Sequence, residues 1–93
     1  MKVNFNRHFK KYDGSEAPEI MRDIMAQALF NMGAGRNVES SIKFKAYMLS
    51  QKIMNATAEV EITTEEATII KETASAILTA GGYGQIYELI ENR

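Results

Sequence analysis

Apolar and polar positions alternate in blocks along the chain, and the period changes from block to block. Val3 and Phe5 flank Asn4 with the two-residue period of a half-buried strand. The stretch Lys11-Tyr12-Asp13-Gly14 follows as a turn, since Asp tolerates turn geometry and Gly supplies positive φ. Ser15 then reads as a helix cap, with Glu16 and Glu19 near the positive end of the dipole. Pro18 is tolerated there because first-turn amides have no helical partner. A first helix is predicted over residues 16–32. Its stripe of Ile20, Met21, Ile24, Met25, Ala28, Leu29 and Met32 recurs at three and four. Gly33 and Gly35 end it.

Asn37 is the expected cap of a second helix over residues 38–55. Val38, Ile42, Ala46, Leu49 and Ile53 form its stripe, widened by Tyr47 and Met48. Lys43, Lys45 and Lys52 take the wet side, and Phe44 falls off the stripe toward a second contact. "AEVEIT" alternates again, with Val60 and Ile62 opposed to Glu59 and Glu61. Two short strands are marginal alone. Val3 and Phe5 are therefore expected to pair with Val60 and Ile62 over the helices, the alternative being an extended linker over residues 57–62.

Thr63-Thr64-Glu65-Glu66 has the spacing of a capping box. A third helix is predicted from there to about residue 79, with Ala67, Ile70, Ala74, Ile77 and Leu78 inward. The glycine-rich "GGYG" reads as a hinge in which Gly81 or Gly82 ends this helix in a left-handed conformation. A fourth helix is expected over residues 85–92, with Ile86, Leu89 and Ile90 apolar and Tyr83 and Tyr87 beside them. The fold class is mainly α with a minor β element, about four helices and a short two-stranded ribbon, in a single small domain over residues 1–93.

Composition narrows the chemistry. The chain has 93 residues, 45% apolar and 25% charged, a globular balance. Without cysteine there is no disulfide, thiolate zinc site or cysteine nucleophile. No apolar run approaches the roughly 20 residues that span a bilayer. The basic opening segment lacks the apolar core of a secretory leader, so the triplet at Asn55 is not expected to be glycosylated. Gly84 is followed by Gln85, not the Lys of a phosphate-binding loop, and a helix rather than a strand precedes it. His8, the single histidine, has no acid within four residues to orient it. No metal-ligand cluster, calcium loop or Gly-x-Ser-x-Gly elbow is present, so neither catalysis nor a bound cofactor is expected.

The net charge of −1 is unevenly spread. Lys2, Arg7, Lys10 and Lys11 crowd the first twelve residues, and Glu59, Glu61, Glu65 and Glu66 crowd "EVEITTEE". Mutual neutralisation or simple solvation accounts for both, since exposed pairs contribute only ~0–1 kcal/mol. The sharper reading makes Glu59, Glu61 and Glu65 one binding surface and Arg7, Lys10, Lys11 and Tyr12 another. Phe5, Phe9 and Tyr12 interleave with the basic residues in the manner that stacks bases and neutralises phosphate, so nucleic-acid binding is an alternative. Six methionines at helical spacing beside Ile and Leu read as core filling.

The order "VNFNRHFKKYDG", "AQALFN", "FKAYMLSQKIM", "VEITTEEATIIKE" and "GGYGQIYELIE" resembles a class of small phage and prophage proteins. The resemblance covers nearly the whole chain and implies a phage-borne gene with a product in the host cytoplasm. It brings no functional residues with it. Small phage proteins without catalytic motifs commonly act by binding: some inhibit a host enzyme, as anti-CRISPR inhibitors do, and others assist virion or tail assembly. The expected function is that of a non-catalytic phage accessory protein that binds and inhibits a host factor such as a CRISPR nuclease, an anti-defence role. The alternatives are an assembly factor and a small nucleic-acid-binding protein. The partner is expected to be a host or phage protein, without membrane association.

Overall fold

The computed structural model describes residues 1–91. Three strands come first: β1 (Lys2–Asn4), β2 (His8–Lys10) and β3 (Glu16–Ile20). The helices α1 (Met21–Phe30) and α2 (Ser40–Met54) follow, then β4 (Glu59–Glu61), α3 (Thr64–Ile77) and α4 (Ala80–Glu91). The chain is mainly helical, with two small antiparallel ribbons, β1–β4 and β2–β3.

The expected pairing of the first and last strands is present. Lys2, Val3 and Asn4 face Glu61, Val60 and Glu59. Phe5 and Ile62 lie just past the strand ends, both fully buried, and Ile62 exchanges two hydrogen bonds with Met1 at 2.7 and 2.9 Å.

The second ribbon corrects the reading of residues 16–20 as helix. Ser15 does not cap a helix: its hydroxyl and N–H both go to Asp13 Oδ1, at 2.6 and 3.0 Å. Its carbonyl accepts the Lys11 N–H at 2.7 Å and closes a hairpin. Pro18 disfavours helical backbone at Ala17, and its missing N–H is tolerated in a strand that bulges. His8 faces Ile20 while Lys10 faces Glu16, so two steps along β2 meet four along β3. The helix begins only at Met21. Its free amides at Met21 and Arg22 reach the Arg7 and Phe5 carbonyls, both at 2.8 Å.

Two tight turns built on Gly33 (φ +94°) and Gly35 (φ +69°) follow α1, and Met32 lies in them, half-buried. They displace the start of α2, so Glu39 rather than Asn37 occupies its N-cap, without a side-chain cap bond. The capping box at α3 is formed as expected.

The glycine hinge is not. Gly81, Gly82 and Gly84 lie inside the first turns of α4 with no positive φ. The break falls earlier, at extended Leu78. The Thr79 hydroxyl then accepts the Gly82 N–H at 3.2 Å and starts the helix that the glycines alone disfavour. Ile77, expected inward, is 48% exposed because α3 ends there. The expected end of α4 at Asn92 lies outside the described residues. One core joins Val3, Phe5, Met25, Leu29, Leu49, Ile53, Ile62, Ile70, Ile86 and Ile90, all buried.

Candidate protein-binding surface

Helix α2 is apolar on two sides. Ala46, Leu49, Ser50 and Ile53 face the core. Phe44, Tyr47, Met48, Gln51 and Met54 recur at spacings of three and four on the outward side, and that arc carries no charge. Phe44 is 62% exposed and Met48 53%. Phe30, at the end of α1, is 59% exposed and extends the patch, its ring 6.0 Å from that of Tyr47, which is 6.2 Å from Phe44. The expectation that Tyr47 and Met48 widen the core stripe is therefore overturned: α1 and α3 cover only the inner arc of α2. Aromatic side chains bury ~150–250 Å² each when covered. Three of them half in water, with two methionines, reach the roughly 300–600 Å² of the largest patch on an ordinary monomer, where such patches are often functional.

Beside the patch a shallow groove of 440 Å³ runs between α1 and α2, over Ala26, Gln27, Ser50 and Gln51. Ser50 is buried, and its hydroxyl donates to the Tyr47 carbonyl at 2.6 Å, so the groove floor is satisfied. Lys45 and Lys52, on the flank of the arc, turn toward α3 and meet Glu65 and Glu66 at 3.2 and 3.0 Å.

Those pairs partly neutralise the acidic surface read from the sequence, while Glu61 and Glu65 stay exposed. Glu65 has Lys45. Glu66 serves the capping box and Lys52. Burial works against its ionisation most strongly of the single influences, but the Thr63 N–H and the Lys52 ammonium together outweigh it and hold the carboxyl below its ordinary value. Glu61 lies 3.7 Å from the Met1 amino group. Glu59 alone of the four has no ion pair among the described residues.

The basic arm is a hairpin. Arg7, Lys10 and Lys11 are exposed on it and Tyr12 stands fully in solvent at its turn. Phe5 and Phe9 are core residues and offer no face to a base, so only Tyr12 remains of the expected aromatic interleaving. His8 is oriented after all, by a 3.0 Å contact of Nδ1 with the Ala17 carbonyl at the bulge, which sequence distance hides. The Asp13 carboxyl is held low by the Ser15 hydroxyl and N–H, a turn role. A 370 Å³ cleft among Phe9, Ala17, Ile24, Ile77 and Leu78 is also lined by Lys10 and Glu19, which form no salt bridge with each other. Among the described residues no group of three His, Cys, Asp or Glu side chains could hold a metal ion, and no helix is long and apolar enough to cross a membrane.

Sequence reasoning singled out Phe44 but not the arc it belongs to. The signal was available: five consecutive outward positions of a helix without a charge. Comparison with protein-family models, characterised proteins and solved structures returns no match.

Proposed function

We propose that this chain is a non-catalytic binding protein that docks a protein partner on the outward arc of α2 together with Phe30. The observation that carries the reading is that arc: Phe44, Tyr47, Met48 and Met54 lie in water on a helix whose inner side already completes the core. Clustered aromatic and methionine side chains are the composition of interface centres. Their desolvation drives association without a directional chemical requirement.

The resemblance to small phage proteins supports an accessory role whose partner is a host factor, in the manner of an anti-defence inhibitor of a CRISPR nuclease. Mimicry of nucleic acid by the glutamates has weaker support, because Glu61, Glu65 and Glu66 have cationic neighbours within the fold. An apolar face against an enzyme surface is the better-supported mode. The Met-rich helix suits a virion or tail assembly partner as the second reading.

The test is affinity capture with the tagged chain from phage-infected cells, repeated with Phe44→Glu/Met48→Glu and with Glu59→Lys/Glu61→Lys. A stoichiometric host defence protein lost only with the first variant supports the proposal. Loss only with the second moves the site to β4. Head or tail components as prey establish the assembly reading. Salt-released nucleic acid without protein prey overturns both.

A further inference from the structure

The two ribbons leave one continuous problem in backbone hydrogen bonding, and one side chain answers part of it. In an antiparallel pair, residues alternate between bonding their partner and turning N–H and C=O away from it. Met1 and Ile62 exchange both bonds, so Lys2 and Asn4 turn theirs away from β4. In the hairpin, Lys11 bonds Ser15 and Arg7 bonds Met21, so His8 and Lys10 turn theirs away from β3. These outward edges of β1 and β2 line the same groove, of 950 Å³, whose far wall includes Gln85, Glu88 and Leu89 of α4.

At Lys10 the outward groups are occupied. Its N–H donates to Gln85 Oε1 at 2.7 Å, and its carbonyl accepts from Gln85 Nε2 at 3.0 Å. A carboxamide presents one donor and one acceptor side by side, as a peptide group does. Gln85 thus stands where a residue of a neighbouring strand would stand. The outward backbone groups of Lys2, Asn4 and His8 have no partner among the described residues.

We propose that this groove receives an extended segment of another protein as an added strand along β1 and β2, with acidic side chains at alternate positions, and that Gln85 is the placeholder it displaces. Strand addition to an open edge is an established mode of peptide recognition. The free edge of β3 carries Pro18, which donates nothing, and that of β4 carries Glu59 and Glu61. The β1–β2 edge carries no proline, and its charges, Lys2 and Lys10, are cationic, so it resists a neutral or basic strand and admits an acidic one.

The preference for acids follows from distance. The added strand would lie ~4.8 Å from β1 and β2 and about twice that from β3 and β4. Its nearest solvent-side neighbours are Lys2, His8 and Lys10, with Arg7 between the two strands. Lys2, Arg7 and Lys10 have no ion pair among the described residues. Glu16 and Glu59 lie one strand further away, and Glu88 comes from the helical wall. The fold already contains the matching pattern: on its paired edge β1 accepts Glu59-Val60-Glu61, with Glu61 opposite Lys2 and Val60 opposite Val3. Opposite charges directly across a ladder are favourable, like charges unfavourable. This edge shares no residue with the α2 arc, so the two sites stand or fall separately.

The experiment titrates the isotopically labelled full chain with a capped seven-residue peptide alternating Glu and Val. The controls are its Lys-for-Glu counterpart and a version N-methylated on its central residues. Amide exchange of Lys2, Asn4, His8 and Lys10 is read in each case. The Glu peptide is expected to slow exchange at these amides and to bind about tenfold more tightly than the Lys peptide, the effect of a few cross-strand ion pairs. N-methylation, which preserves charge and removes strand donors, is expected to abolish binding. Gln85→Ala is expected to tighten binding, the opposite of what loss of a purely structural residue would do. The wild-type comparison stands even if that variant folds poorly. Unchanged exchange with the Glu peptide, equal binding by the N-methylated or Lys peptide, or weaker binding by a folded Gln85→Ala overturns the proposal. Concentration-dependent protection of the same amides without peptide overturns it in favour of a second copy of this chain.

Discussion

Thr63 and Glu66 cap each other: the Thr63 hydroxyl accepts the Glu66 N–H at 3.1 Å, and the Glu66 carboxylate accepts the Thr63 N–H at 2.9 Å. The pair fixes the point at which β4 becomes α3. Thr63→Ala is expected to destabilise the fold by about 1 kcal/mol, read as a lower urea midpoint with unchanged slope. Thr63→Ser is expected to retain most of that stability.

The same carboxylate makes stability depend on acid. Its folded pKa lies below the ordinary value of 4.5, so the folded state favours its ionised form. That contribution is present above the ordinary value and fades as pH falls through the folded one. Asp13 is shifted in the same direction, by the Ser15 hydroxyl and N–H. The pH profile of Glu66→Gln should therefore run closer to wild type in acid than at neutrality. A difference in stability that is constant with pH would refute this role.

Gly81 distinguishes a helix from a hinge. An added Cβ there meets no atom within 4 Å, and the backbone is helical. Gly81→Ala should raise stability by about 0.5–1 kcal/mol. A left-handed hinge would give the opposite sign, so a single thermal or chemical melt separates the two.

Thr73 is buried on α3 with a hydroxyl that finds no partner among the described residues. Leaving a buried polar group unpaired costs about 1–3 kcal/mol. Thr73→Val preserves the shape and removes the hydroxyl, and is expected to equal or exceed wild type in chemical denaturation. Marked loss of stability would mean that the hydroxyl is bonded in solution.

The two sides of α2 should respond very differently to truncation. Leu49→Ala, in the core, is expected to cost about 2–5 kcal/mol. Phe44→Ala, 62% exposed, is expected to stay within about 0.5 kcal/mol of wild type. A large loss at Phe44 would reassign the arc from partner surface to structural support.

What could be read from residue order follows from how local the deciding interaction is. The capping box lies within four consecutive residues, and it was legible. So was the β1–β4 ribbon, because Val3 and Val60 each sit in a short alternation that needs a cover. Residues 15–20 were misleading: serine, acids and a proline are the usual opening of a helix. The contest was decided by Asp13, whose carboxylate takes both donors of Ser15, and by Pro18 acting on Ala17. The glycines at 81–84 also misled, because Thr79 and the burial of Ile86 and Ile90 outweigh their poor propensity. On α2, spacing located two apolar sides but could not say which of them the rest of the chain would cover. The contact of Gln85 with Lys10 spans 75 positions and leaves no trace in local pattern.

The partners β1 and β4 are also far apart, with Met1 and Ile62 separated by 61 positions. The β2–β3 hairpin and the α1–α2 pair close over much shorter loops, and closing a longer loop costs more entropy. During synthesis, the first strand therefore waits for most of the chain before its mate exists, while the hairpin beside it assembles early. For that interval β1 is an unmated strand, and the docking of β4 is the step that retires it.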